Sequence, residues 1–259
     1  MPVRIQDGFP LVVAQVAGRP ATFLLDTGAQ GHLLLPDALA RLGLAVDPSR
    51  TARVQGTGGA RSVPIATLRG LTLGGAPLPG GPTPIAALPT AVPATDPPLA
   101  GLLGAPLLQA YDAELDVPGG RLTLLAPTGC APPGMAVALQ DAGAAGLLLP
   151  VRVNGTVLLA IPDTGTRITL LSDPAAARLD LDAPISASTA RGVDGQRLTL
   201  RHLPLRSVQV GGDTVQGLPV SITQLQIAPA DMLLGLDWFR QRRVWLSYAA
   251  KLMVIRPKP

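Results

Sequence analysis

Phe23-Leu24-Leu25-Asp26-Thr27-Gly28-Ala29 and, 137 residues later, Ile161-Pro162-Asp163-Thr164-Gly165-Thr166 carry one tripeptide, Asp-Thr-Gly, at the end of two apolar runs. A carboxylate that ends a hydrophobic strand is costly to bury unless it has a partner or a chemical task. Composition alone predicts roughly 0.1 copies of this tripeptide in such a chain. Two copies in matching settings point to a pair built to meet.

The surroundings repeat at the same offset, the mark of an internal duplication. Leu11–Val16, a turn at Ala17-Gly18 and Ala21–Leu25 read as a hairpin. Leu149–Val153, Asn154-Gly155 and Thr156–Ile161 read as its copy, with Asn-Gly as a strong turn signal. A short helix candidate follows each motif, over Ala38–Leu44 and Ala175–Leu181, the second with Asp173 as N-cap and Pro174 as first helical residue. Each half then reaches an apolar pair closing on glycine, Leu102-Leu103-Gly104 or Leu233-Leu234-Gly235, and ends on a strand, Arg121–Leu125 or Lys251–Ile255. The first half carries an extra proline-rich stretch between Pro77 and Pro98. The reading is an N-terminal lobe over 1–126, a Gly/Ala/Pro-rich connection over 127–146 and a C-terminal lobe over 147–259.

At 259 residues, with 29 Gly and 28 Pro, short strands rather than long helices are expected. Cys130 is the only cysteine, which excludes an internal disulfide and leaves the redox compartment open. No uninterrupted apolar stretch predicts a membrane span, and Arg4 and Asp7 interrupt any signal peptide at the start. The compartment stays open: periplasmic or secreted if a leader was trimmed, cytoplasmic otherwise. Net charge is +4 but aromatics are only 3% and the arginines are scattered, which argues against nucleic acid. Arg240, Arg242 and Arg243 read as a solvated face.

If the halves face each other across a pseudo-twofold axis, Asp26 and Asp163 meet near it. Two carboxylates in contact share one proton over a range of pH. Such a pair can activate a water against a peptide carbonyl and stabilise the tetrahedral intermediate without metal or cofactor. Gly28 and Gly165 allow a tight turn that brings backbone N–H groups to the carboxylates, while the Thr27 and Thr164 hydroxyls can bond across to the other half. With these residues, and the Leu-Leu-Gly that follows each motif, the chain resembles a retropepsin-type aspartic protease fused into one two-lobed chain. The resemblance implies an all-β fold of two homologous closed β-barrel lobes of the acid protease type, pseudo-twofold related, with a cleft for an extended peptide. It implies that the Asp pair is catalytic and that the Leu-Leu-Gly strand crosses beside the Asp loop. Both half-sites in one chain predict a monomer. Gln55, Gly56, Thr57, Gly58 and Gly59 resemble a retropepsin flap, and Gly192, Val193, Asp194 and Gly195 are the second flap candidate.

The halves also differ. Ala29 in the first is matched by Thr166 in the second, whose hydroxyl can donate to its own Asp and lower its pKa. Asp163 is therefore expected to be the ionised partner and Asp26 the protonated one. Pro162, where the first half has Leu25, lacks an N–H and fits a strand only where no ladder bond is needed. It favours the rival reading, a catalytically weak module that binds peptides or an envelope component. His32 and His202 are too few for a triad or a metal cluster, and His32 reads as structural.

Overall fold

The computed structural model describes residues 1–56, 59–88, 93–143, 146–191 and 197–256. Each half opens on the expected hairpin. Phe9–Val16 pairs with Arg19–Leu25, and Leu147–Val153 with Thr156–Pro162. The turns have positive φ at both central residues, 49° and 79° at Ala17-Gly18 and 46° and 91° at Asn154-Gly155. This backbone matches the natural twist of the flanking strands.

The second arm of each hairpin runs parallel to the Leu-Leu-Gly strand. Leu103 lies opposite Leu25, and Leu234 opposite Pro162. On its other side that strand pairs antiparallel with the segment that follows the Asp loop, Leu33–Leu34 or Thr169–Ser172. The Leu-Leu-Gly strand is thus inserted between the two strands that flank the motif, and the motif must cross over its end. Asp26 N–H donates to Leu103 O and Asp163 N–H to Leu234 O, both at 2.9 Å.

The second half forms an eight-stranded sheet that closes on itself, with Arg152 and Val153 opposite Gln209 and Val208. The first half is built from a seven-stranded sheet and a three-stranded one, Val46–Gln55, Ala60–Leu68 and Gly81–Pro84, joined by a bridge from Leu34 to Ile85. Alternation is clear in the Arg197–Val210 strand, where Leu198, Leu200, Leu203, Leu205, Val208 and Val210 are buried.

A five-stranded sheet joins the halves, in the order Arg121–Leu125, Asp112–Asp116, Arg243–Ser247, Leu252–Arg256, Met135–Ala138. Its middle pairing, Leu115 opposite Val244, belongs to both halves at once. Glu114 accepts from Arg243 Nε at 2.9 Å and Nη2 at 2.6 Å, and stands 3.1 Å from Arg256 Nε as an ion pair off the line of a hydrogen bond. The stretch read as a plain connection contributes the edge strand Met135–Ala138.

Three expectations need correction. The second helix is only Asp173–Ala176, and its N-cap is Ser172, whose Oγ accepts from Ala175 N–H at 3.2 Å. Asp173 already lies inside the helix and pairs with Arg201. The arginine cluster is a solvated face only at Arg240, which is exposed; the Arg242 side chain is 12% exposed, bonds Asp213 at 2.7 Å and covers the Trp238 ring at 4.4 Å. Burying the apolar stem of Arg while pairing its head explains this placement. Among the described residues, no helix is long and apolar enough to cross a membrane.

Candidate active site

The crossing described above brings the two Asp-Thr-Gly turns together. Thr27 Oγ1 donates to Pro162 O at 2.7 Å and accepts from Thr164 N–H at 3.1 Å. Reciprocally, Thr164 Oγ1 donates to Leu25 O at 2.7 Å and accepts from Thr27 N–H at 3.1 Å. Each hydroxyl thus donates once and accepts once, serving two backbone groups of the other half. Thr164 is fully buried.

The glycines act by leaving space. Neither Gly28 nor Gly165 has the left-handed φ expected of a glycine-dependent turn. A Cβ on Gly165 would instead lie 2.5 Å from Asp26 Oδ2, and one on Gly28 would lie 2.6 Å from Asp163 Cγ. Each glycine makes room for the opposing lobe's carboxylate.

The two carboxylates are cradled alike, with one exception. Asp26 Oδ1 accepts from Gly28 N–H at 3.1 Å and Ala29 N–H at 2.9 Å. Asp163 Oδ1 accepts from Gly165 N–H at 2.9 Å and Thr166 N–H at 3.1 Å, and its Oδ2 also accepts from the Thr166 hydroxyl at 2.8 Å. Burial, then the charge of Asp163, raises the Asp26 pKa well above the ordinary carboxylate value. Burial also raises that of Asp163, but the Thr166 hydroxyl opposes it, followed by its bond with Asp26. The proton therefore favours Asp26. Tyr248 has its phenol pushed up to about 12 by burial and then by the charge of Asp26.

Pro162 lies past the end of its ladder, which stops one pair earlier than in the first half, where Leu11 still stands opposite Leu24. Asp163 N–H points to the Met232–Leu234 strand, so the nitrogen before it faces the Leu147–Val153 strand. That register ends at Leu149 opposite Ala160, two residues short of Pro162. No ladder donor is needed there.

Of the flap candidates, Gln55 stands opposite Ala60 at the end of a hairpin arm, and Gly56 N–H donates to Gly59 O at 2.6 Å. Gln55 Nε2 also reaches Gln226 O of the second half at 3.5 Å. Thr57, Gly58, Gly192, Val193, Asp194 and Gly195 lie outside the described residues. The arms leading to the second group pair from Ser186 opposite His202 to Arg191 opposite Arg197. Among the described residues, no group of three or more His, Cys, Asp or Glu could hold a metal ion.

One supporting pair went unread in the sequence. His32 Nδ1 accepts from Gly104 N–H at 3.1 Å. In the second half Thr169 Oγ1 accepts from Gly235 N–H at 3.1 Å and donates to Asp237 Oδ1 at 2.8 Å. The offset of 137 that pairs the motifs also pairs His32 with Thr169, and was the available signal.

The sequence profile described as aspartyl protease matches residues 12–107 and again residues 149–238. The chain belongs to the aspartyl protease family. It is 32% identical over 129 residues to Protein DDI1 homolog 1 of Bos taurus, covering 47% of this chain and 32% of that protein. The Homo sapiens homolog 1 is 33% identical over 112 residues, covering 42% and 27%. The chain thus spans about a third of the length of these curated relatives. Among solved structures, it is similar to Basic 7S globulin from soybean over 99% of this chain and 95% of that one, with 10% identity and a TM-score of 0.53. A retropepsin-like aspartic protease from Rickettsia conorii matches 48% of this chain and 90% of its own, with 15% identity and a TM-score of 0.35. At such identities the soybean match concerns the fold alone, and it extends over both halves.

Proposed function

We propose that this family member is a single-chain endopeptidase, with lobes over 1–126 and 147–259 joined by 127–146, that hydrolyses extended, mostly apolar peptide segments. The observation that carries this reading is mutual: each Asp-Thr-Gly leaves glycine space for the other's carboxylate and bonds the other's backbone through its threonine. A module that only bound peptides would have no need of two carboxylates withdrawn from water with raised pKa values.

In the proposed reaction Asp163 is the base and Asp26 the acid. A water between them attacks the carbonyl carbon and gives its proton to Asp163. Asp26 O–H supports the carbonyl oxygen as negative charge develops there. Collapse of the tetrahedral intermediate breaks the C–N bond, and the departing nitrogen takes the proton. Thr27, Gly28, Ala29, Thr164, Gly165 and Thr166 hold the pair. Gln55, Gly56 and Gly59 belong to the flap over the substrate, together with the remaining flap candidates. The protein acts as a monomer without cofactor. The binding-only reading rested on Pro162, and that position requires no missing hydrogen bond.

The test is incubation with a diverse peptide library from pH 3 to 8, with products read by mass spectrometry, beside Asp26→Asn and Asp163→Asn. Cleavage by the wild type that disappears in both variants supports the reading. No cleavage by a folded wild type rejects it.

A further inference from the structure

We infer that His32 is a positioning residue for the Asp26 half-site and that its protonation sets the acid limit of the activity. The inference rests on the protease reading above and goes beyond it, because the dyad alone supplies no titration at an imidazole.

The contacts form a short chain from His32 to Asp26. His32 is buried, and both ring nitrogens are used. Nδ1 accepts from Gly104 N–H, and Nε2 lies 3.1 Å from Pro79 O. A carbonyl can only accept and an N–H can only donate, so the ring is the neutral tautomer with its proton on Nε2. Gly104 is the glycine of Leu-Leu-Gly and is wedged against the Asp26 loop. A Cβ on it would collide with Gly31 O and lie 2.5 Å from Ala29 O. Ala105 N–H donates to Ala29 O at 2.8 Å, and Ala29 N–H donates to Asp26 Oδ1 at 2.9 Å.

A second proton on the ring has nowhere to go except Nδ1, where it would face the Gly104 N–H. The acceptor that holds Gly104 is then lost and two donors oppose each other. Among the described residues, the charged and titratable groups bonded to the segments around the ring are Asp26, Arg41, whose guanidinium donates to Leu99 O at 3.0 Å, and Tyr111, whose hydroxyl donates to Pro77 O at 2.8 Å. None is a hydrogen-bond partner of the imidazole. Burial lowers the pKa of His32 against the weaker pull of Pro79 O. The neutral ring is therefore the folded form, and the cost of acid appears below the unfolded value of about 6.5 and grows until the folded ring itself titrates. In the second lobe Thr169 does the same work with a hydroxyl, which donates in turn to Asp237, a carboxyl whose pKa burial raises.

The experiment compares wild type with His32→Asn and His32→Thr from pH 4 to 8. Asn puts an amide oxygen near the place of Nδ1, and Thr copies the other lobe. For one peptide, kcat/KM is normalised to each protein's own value at pH 7.5, and Tm is recorded at every pH. The wild type is expected to fall about tenfold per pH unit below the imidazole titration, while the variants hold their normalised activity at least about one unit further into acid. The loss of Tm between pH 7 and 5 should shrink in the variants. Acid limbs and Tm curves that overlay those of the wild type overturn the inference. If neither variant folds, the imidazole resonances of the wild type decide, told apart with His202→Asn. His32 titrating where activity falls supports the inference, and His32 staying neutral through that fall overturns it. Absence of cleavage by a folded wild type at every pH overturns the protease reading itself, a different result from overlaid profiles.

Discussion

Thr164→Val isolates the cross-lobe threonine lattice. Valine has nearly the shape of threonine, so no cavity opens, and only the hydroxyl is lost. That hydroxyl donates to Leu25 O at 2.7 Å and accepts from Thr27 N–H at 3.1 Å at a fully buried position. Two backbone groups are left without partners, each costing about 1–3 kcal/mol. Crediting the gain from burying a methyl, the expected loss is about 2–5 kcal/mol, a large share of the roughly 5–15 kcal/mol that holds a folded protein together. Thr27→Val also orphans two groups, Pro162 O and Thr164 N–H, but Thr27 is half-buried. Water can reach its side of the lattice, and the expected loss is smaller, about 1–2 kcal/mol. The assay is urea denaturation followed by tryptophan fluorescence, since Trp238 and Trp245 are buried in the second half near the joining sheet. A loss below about 0.5 kcal/mol for Thr164→Val, or an equal loss for both variants, would refute the lattice as the element that sets the spacing of the carboxylates.

Thr166→Ala removes a donor to Asp163 Oδ2 that favours the ionised form; in the His32→Thr background, where no imidazole limits activity in acid, the acid limb of the pH–rate profile is expected to move up, and an unmoved limb would show that the hydroxyl does not select the ionised partner. Gly165→Ala sets a methyl 2.5 Å from Asp26 Oδ2, and is expected to cut kcat/KM at least about 100-fold while leaving most of the far-UV circular dichroism intact. A buried carboxyl with a raised folded pKa loses stability as pH rises from its unfolded value through its folded one. Asp26→Asn should therefore raise Tm by about 2–4 °C at pH 7, a gain that vanishes as pH falls well below the unfolded Asp value of about 3.9 and Asp26 becomes protonated in both states. A gain that grew toward acid would reverse the assignment of the shift.

The duplication made much of the fold readable. One offset of 137 aligned the hairpins and the Asp loops, falling to 131 at Leu-Leu-Gly, and it placed Thr27 against Thr164 because both hydroxyls follow the paired aspartates. What stayed hidden were relations with no periodic trace. Nothing in the pattern of Asp112–Asp116 says that its partner is Arg243–Ser247 in the other half, because a buried strand shows only that it has neighbours. The glycines were read as turn formers, since a missing Cβ looks the same in sequence whether it serves φ or space. Pro162 could be resolved only once the register ended at Ala160. Arg242 looked exposed by residue type, yet the Trp238 ring and Asp213 bury it. His32 was read as structural, but its partner Gly104 lies 72 residues away and became meaningful only beside Thr169 and Gly235.

The claim at the centre is that Asp26 and Asp163 work as one unit. The measurement that tests it most directly is kcat/KM on a single cleaved peptide for the wild type, Asp26→Asn, Asp163→Asn and the double variant, each verified as folded. Each single change is expected to cost about 1,000-fold or more, and the double change little beyond either single one. Retention of more than about a tenth of the activity by either single variant, or losses that multiply in the double variant, would contradict it.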